Sequence, residues 1–176
     1  MSALRSLTGF ALKRWPAFAF LASAAMLGAA HAFQAAGYEP CDLCLRQREV
    51  YWAALAVAAV GVALQVSRPV IGRWPSKLAI AALAAIFLFG AGLAAYHAGV
   101  EWDFWPGPPT CSGAGAGPVT LESLEAALSG QTRIVPCDEA AWRFLGVSMA
   151  GYNVLASLVL AVLSVLALRR RERALG

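Results

Sequence analysis

The chain has 176 residues, 60% of them hydrophobic and 14% charged, with a mean hydropathy of +0.63 and a formal net charge of +4. An ordinary soluble domain carries close to a quarter charged residues, so the composition excludes one and points to an integral membrane protein. The cations do not signal nucleic acid, because they cluster at the ends of apolar runs, where they set membrane orientation.

Four apolar runs follow one another, at about 17–36, 50–66, 78–96 and 144–168. Each is close to the roughly 20 residues that a helix needs to cross the hydrocarbon, and each must be helical because lipid offers the backbone no hydrogen-bond partner. The expected fold is an all-α membrane protein, a four-transmembrane-helix bundle forming a single membrane domain over 1–176.

Orientation follows from the cations. Arg5, Lys13 and Arg14 precede the first run; Arg68, Arg73 and Lys77 separate the second from the third; Arg169, Arg170, Arg171 and Arg173 follow the fourth. The other side carries only Arg46, Arg48, Arg133 and Arg143. Positive-inside bias places both termini in the cytoplasm. The two outer loops, about 37–49 and 97–143, then hold nine of the ten acids and all four cysteines. That side is expected to be the bacterial periplasm, where disulfides persist. The first run admits a rival reading as a signal peptide with a cleavage site at Ala30-His31-Ala32; cleavage would leave three spans and the same loops outside.

At the mouth of the second run stands Pro40-Cys41-Asp42-Leu43-Cys44. Proline suits the first turn of a helix, which would put both cysteines at its positive end, where the dipole favours thiolate, the reactive form. Arg48 follows Cys44 by one turn on the same face, and its permanent charge suits an anionic or carbonyl oxygen. Tyr51, Trp52 and Leu55 continue that face as a bed for a flat apolar ring. The blander readings are a structural disulfide with Arg48 snorkelling to the interface, or a zinc site. A four-residue disulfide loop adds little constraint to a span, and the absence of a second C-x-x-C speaks against a metal.

Cys111 and Cys137 lie in the long outer loop, Cys111 in a Pro/Gly-dense stretch, 105–118, that disfavours regular structure and permits movement. Val119 to Leu128 reads as a short horizontal helix with Leu121, Leu124 and Leu128 on one face, lying along the membrane or packed on the spans. Trp102, Trp105 and Trp142 read as interfacial anchors. His97 closes the third run on the cysteine side and is either a polar tip among headgroups or a hydrogen-bond partner for a bound ring; His31 reads as structural, and Asn153 as a bond between helices.

These residues resemble the DsbB family (disulfide bond formation protein B) over nearly the whole chain. The resemblance rests on four spans, Pro40-Cys-x-x-Cys-x-x-x-Arg48, His97 ending the third span, the loop cysteines Cys111 and Cys137, and Cys137-Asp-Glu-Ala-Ala-Trp-Arg-Phe-Leu-Gly146 leading into the fourth. It implies an inner-membrane thiol:quinone oxidoreductase whose partner is a periplasmic thioredoxin-fold dithiol oxidase of the DsbA type. By that analogy the partner attacks a Cys111–Cys137 disulfide, electrons pass to Cys41 and Cys44, and Cys44 delivers them to ubiquinone or menaquinone, with Arg48 and His97 at the quinone. No metal is expected. The Gly-Ala-Gly-Ala-Gly run after Cys111 is distinctive and leaves open a DsbI-like relative serving a dedicated oxidase. From another class, a membrane scaffold subunit with structural disulfides is the competing reading.

A quinone is reasonable on energetic grounds. DsbA-type oxidases have potentials near about −120 mV, while structural disulfides lie below about −300 mV. Ordinary disulfides would oxidise such a partner only uphill, unless a strong acceptor pulls downstream.

Overall fold

The computed structural model describes residues 9–67, 74–112, 121, 125 and 136–173. Four helices within it are long and apolar enough to cross a membrane: α1 (Trp15–Ala35), α2 (Asp42–Val66), α3 (Trp74–Glu101) and α4 (Met149–Arg173). The all-α four-helix expectation holds. The cations at Arg5, Arg68, Arg73 and Arg133 and nearly all of the expected helix Val119–Leu128 fall outside the described residues; Leu121 and Glu125 are helical.

The helix limits differ from the hydropathy limits for local reasons. Hydropathy starts the second span near Val50, but α2 begins at Asp42, because Cys41 caps it: Cys41 is extended (φ −75°, ψ 172°) and its sulfur accepts the Cys44 N–H. Its first two turns are therefore polar and helical at once. The third span is longer than expected, since α3 runs on from Tyr96 to Glu101. The fourth starts later than Phe144. Residues 143–148 instead form a hairpin, β1 (Arg143–Phe144) against β2 (Val147–Ser148), antiparallel with Phe144 opposite Val147. Leu145 (φ 49°) and Gly146 (φ 80°) both take positive φ, as a two-residue hairpin turn of the I′ kind demands.

The end of α1 is fixed just as locally. Gly37 (φ 95°) follows the last helical turn. The Tyr38 N–H reaches Phe33 O at 3.1 Å, the Gly37 N–H reaches Gln34 O at 3.0 Å, and the Tyr38 and Phe33 rings meet at 5.7 Å. This is a Schellman ending with its usual apolar clasp, and it turns the chain sharply from α1 into the cap of α2.

The helices pack in chain order, α1 on α2, α2 on α3 and, most extensively, α3 on α4, with a slighter contact closing α4 onto α1. Small residues let them approach. Ala19, Ala54, Ala58 and Ala94 are wholly buried. A Cβ on Gly61 would lie 3.0 Å from Pro16 Cβ, and one on Gly90 3.0 Å from Val50 Cγ1. Close backbone approach is how helices gain contact in lipid, where burying apolar surface brings no advantage over facing lipid tails. Phe87, Ile80 and Leu83 fill the centre, and Trp15 donates to Ser164 Oγ at 2.8 Å near the end opposite the cysteines. Leu21, Val60, Leu88, Phe89 and Val159 project outward as a lipid-facing belt.

Candidate thiol redox site

Cys41 and Cys44 are free thiols at the start of α2. The Cys41 sulfur donates to Cys44 Sγ at 2.8 Å and accepts the Cys44 N–H at 3.3 Å. Cys41 is 5% exposed, whereas Cys44 is half-buried. The hydrogen bond to Cys44, burial and the neighbouring negative charge push the Cys41 thiol up, so it keeps its proton. The pair is differentiated: Cys41 is the inner, protonated sulfur and Cys44 the accessible acceptor.

Cys111 and Cys137 form a disulfide, with a Cα–Cα distance of 5.2 Å. It is not a remote staple. Cys41, Leu43, Val100, Cys111 and Cys137 make one buried cluster, with Cys44 and Leu93 packed against it. The segment carrying Cys111 is a 3-10 turn, Pro109–Ser112, held to the start of α2 by Thr110 Oγ1, which donates to Asp42 Oδ2 at 3.1 Å. The density of proline and glycine there leads into a short, anchored turn at Cys111 itself.

Beside the thiols opens a cavity of about 450 Å³ whose walls are mostly apolar, with Leu27, Phe33, Tyr51, Trp142 and Met149 among them and Cys41, Cys44, Arg48, His97 and Glu101 at its polar side. Its placement corrects part of the expected bed. Tyr51 lines it, but Trp52 is 54% exposed toward lipid, and Leu55 packs into the core below. Trp142 does more than anchor: it faces Phe33 at 5.3 Å and stacks on Phe144 at 5.9 Å. Trp105 lies outside, stacked on Tyr96, with its indole N–H on Tyr96 O at 2.9 Å.

Arg48 shares the cavity with Cys44 but is held from α1. Its Nη1 donates to Gln34 Oε1 at 2.6 Å and its Nη2 to Ala30 O at 3.0 Å. A guanidinium has five N–H donors, so these two bonds orient it and leave others for an oxygen in the cavity.

His97 is 3% exposed, not a tip among headgroups. Its Nε2 lies 3.6 Å from Cys41 Sγ and 3.9 Å from Glu101 Oε1. Its Nδ1 meets Gln47 Nε2 at 2.7 Å. The same amide nitrogen donates to Leu43 O at 3.2 Å, and Gln47 Oε1 accepts from Asn153 Nδ2. Asn153 Oδ1 in turn accepts from Tyr51 Oη at 2.5 Å. Reading the chain of donors, Gln47 presents N–H to Nδ1. The neutral imidazole therefore carries its proton on Nε2, aimed at Cys41 and Glu101. Asn153 bonds between helices, as expected, and lines the cavity too.

The ligand atoms of Cys41, Cys44 and His97 lie within 4.8 Å of one another. Two thiolates sharing a tetrahedral zinc at about 2.3 Å stand apart by nearly 4 Å, and Nε2 would have to be bare. Sulfurs 2.8 Å apart with an N–H between them and Glu101 suit disulfide chemistry better.

Sequence reasoning did not single out Gln34, Gln47, Glu101 or Ser148. Their signal was available: Gln47 and Glu101 are polar residues within membrane-length helices, and such residues are costly and mark function or bundle contacts.

Residues 12–167 match the family described as Disulfide bond formation protein DsbB. The chain is 33% identical over 166 residues to the Disulfide bond formation protein B of Methylococcus capsulatus, covering 88% of this chain and 92% of that protein. No solved structure matches it significantly. With four membrane-length helices, a C-x-x-C at the cap of the second and a second cysteine pair packed against it, the chain belongs to the DsbB family of disulfide bond formation proteins.

Proposed function

We propose that this membrane disulfide-forming protein is a thiol:quinone oxidoreductase that reoxidises a thioredoxin-fold dithiol oxidase of the DsbA type. The observation that carries the reading is that both cysteine pairs pack into one buried cluster beside an apolar cavity that also presents Arg48. A structural scaffold would have no need to keep one pair as adjacent thiols next to the other as a disulfide.

The residues fit a quinone. An apolar cavity takes a ring and the start of an isoprenoid tail, and the remaining Arg48 donors suit a ring oxygen. Leu27, Phe33 and Met149 exclude water from it. When bound, a quinone supplies the oxidant, taking two electrons and two protons. The chain's own steps are thiol exchanges. A partner thiolate attacks the Cys111–Cys137 disulfide, forming a mixed disulfide at Cys111, and the partner's second thiol resolves it, leaving the partner oxidised and the pair reduced. Cys111 and Cys137 then reduce a Cys41–Cys44 disulfide by a second exchange within the same cluster. Cys44, the accessible sulfur, is the electron exit toward the cavity. In this reading the protein sits in the bacterial inner membrane with both termini cytoplasmic and all four cysteines periplasmic.

Thiol trapping in quinone-depleted cells tests the function. Electrons with no exit accumulate, so all four cysteines should become alkylated as reduced thiols. Cysteines that stay oxidised without quinone would leave only a scaffold role.

A further inference from the structure

Asn153 stands in the second turn of α4, is 8% exposed and lines the cavity beside the thiols. Its amide is held one way round. Oδ1 accepts from the Tyr51 hydroxyl and, at 3.3 Å, from Ser157 Oγ, while Nδ2 donates to Gln47 Oε1. An amide nitrogen carries two hydrogens. Among the described residues Gln47 accepts one of them, and no bond takes the other. A polar hydrogen left unbonded inside a membrane bundle is costly, so such a group is retained where something meets it. Its neighbours have no such surplus. Gln47 Nε2 gives its hydrogens to Leu43 O and His97 Nδ1, and the Tyr51 hydroxyl is given to Asn153.

Arg48, which lines the same cavity, stands in the second turn of α2 and keeps N–H groups beyond those bound by Gln34 and Ala30. The cavity therefore has one donor from α2 and one from α4, each a turn in from the cysteine end of its helix, in walls that are otherwise mostly apolar. Few, separated polar groups in an apolar cavity fix a ligand's orientation and its class. Two donors from different helices select a flat ring with an acceptor on each of two opposite edges. We propose that Asn153 is a second ligand-binding residue, whose remaining N–H donates to one carbonyl of a 1,4-quinone while Arg48 holds the other. This rests on the thiol:quinone reading and deepens it, because it makes the second ring carbonyl a requirement for full affinity. A ring with a single acceptor goes to Arg48, the charged and stronger donor, and leaves Asn153 unmet.

The test compares two probes, 1,4-naphthoquinone and chromone, the same bicycle with one carbonyl replaced by a ring ether oxygen. Each is titrated calorimetrically into full-length protein in detergent, with titration into empty detergent subtracted. All four cysteines are oxidised beforehand, so that no electrons pass and no thiol adds to the ring. The quantity read is the ratio of the two dissociation constants. From the parent to Asn153→Leu the preference for naphthoquinone should fall about fivefold, one neutral hydrogen bond's worth, with chromone binding unchanged. Asn153→Asp, which keeps the size and the acceptor for Tyr51 but has no amide N–H, should lose the same preference. Gln47→Leu breaks the same network yet keeps the Asn153 amide, held by Tyr51 and Ser157, and should keep the parent ratio. A purely structural Asn153 would weaken both probes alike. A ratio that does not move in the Asn153 variants, or that falls equally in Gln47→Leu, overturns the proposal while leaving the quinone reading intact. A parent protein that binds neither probe overturns the quinone reading and this inference with it.

Discussion

Gln47 and His97, fifty residues apart in sequence, meet at 2.7 Å across the interface of α2 and α3. Through this bond one amide sets which nitrogen of the imidazole faces Cys41. It also ties α2 to α4, since Gln47 accepts from Asn153.

Replacing Gln47 with Leu should therefore do two things. It leaves Asn153 Nδ2 and His97 Nδ1 without their buried partner, a loss of about 1–2 kcal/mol, since hydrogen bonds between membrane helices are individually modest while an unsatisfied buried group is not. It also frees the ring to take either tautomer. Thermal unfolding in detergent should show the first effect, and slowed turnover at unchanged KM for partner the second. A Gln47→Leu protein as stable and as fast as the parent would contradict the network.

Arg48→Ala should chiefly raise the apparent KM for quinone. A charge-assisted hydrogen bond is worth about 1.5–3 kcal/mol, which is roughly ten- to a hundredfold in affinity. Gln34→Ala should raise it less, since Gln34 only orients the guanidinium through its 2.6 Å bond. Steady-state kinetics with a short-chain quinone analogue decide this; an Arg48→Ala protein with unaltered KM removes the ring contact.

Cys44 should be alkylated well before Cys41 in the reduced protein. Cys41 is 5% exposed and holds its proton, so both access and thiolate content favour Cys44. Mass spectrometry of partly alkylated protein should find the label on Cys44 at least tenfold more often. Cys44→Ser should abolish turnover, since the electron exit is gone; undiminished activity would refute that role.

Gly99→Ala should loosen the outer loop. A Cβ there would lie 2.1 Å from Trp105 Cζ2. The ring would have to leave its stack on Tyr96, along with its hydrogen bond to Tyr96 O. Overpacking of this kind costs about 1–3 kcal/mol. Faster proteolytic cleavage between α3 and Cys111, with the four helices intact, is the expected result.

Sidedness has a direct check. With the disulfide reduced, a membrane-impermeant maleimide added to intact spheroplasts should reach the cysteines from one face only. Labelling of Cys41 or Cys44 from the opposite face to Cys111 and Cys137 would end the relay.

Several of these features were legible without coordinates. Span number, the C-x-x-C at a helix mouth and the asymmetry of Lys and Arg depend on runs of neighbouring residues, and hydropathy and charge are local quantities. The caps were legible only in part: Pro40, expected within the first turn of α2, stands outside the helix just before its cap, Cys41, and Gly37 after α1 was a local signal left unread. Which way each helix faces was not legible. Core and lipid are both apolar, so no hydrophobic stripe told Tyr51, buried at 4%, from Trp52, exposed at 54%. The 143–148 hairpin was hidden inside what hydropathy read as the start of a span. Above all, the partners of the thiols come from far along the chain. Gln47 with Asn153, Glu101 with Ser148, and Arg48 with Gln34 are brought together only by helices packing side against side. The amino-acid order alone established a membrane bundle with sulfur at one end; the assembled bundle decided which sulfur keeps a proton, which nitrogen points at it and which carboxylate stands behind, because those depend on contacts across helices that no short stretch of residues encodes.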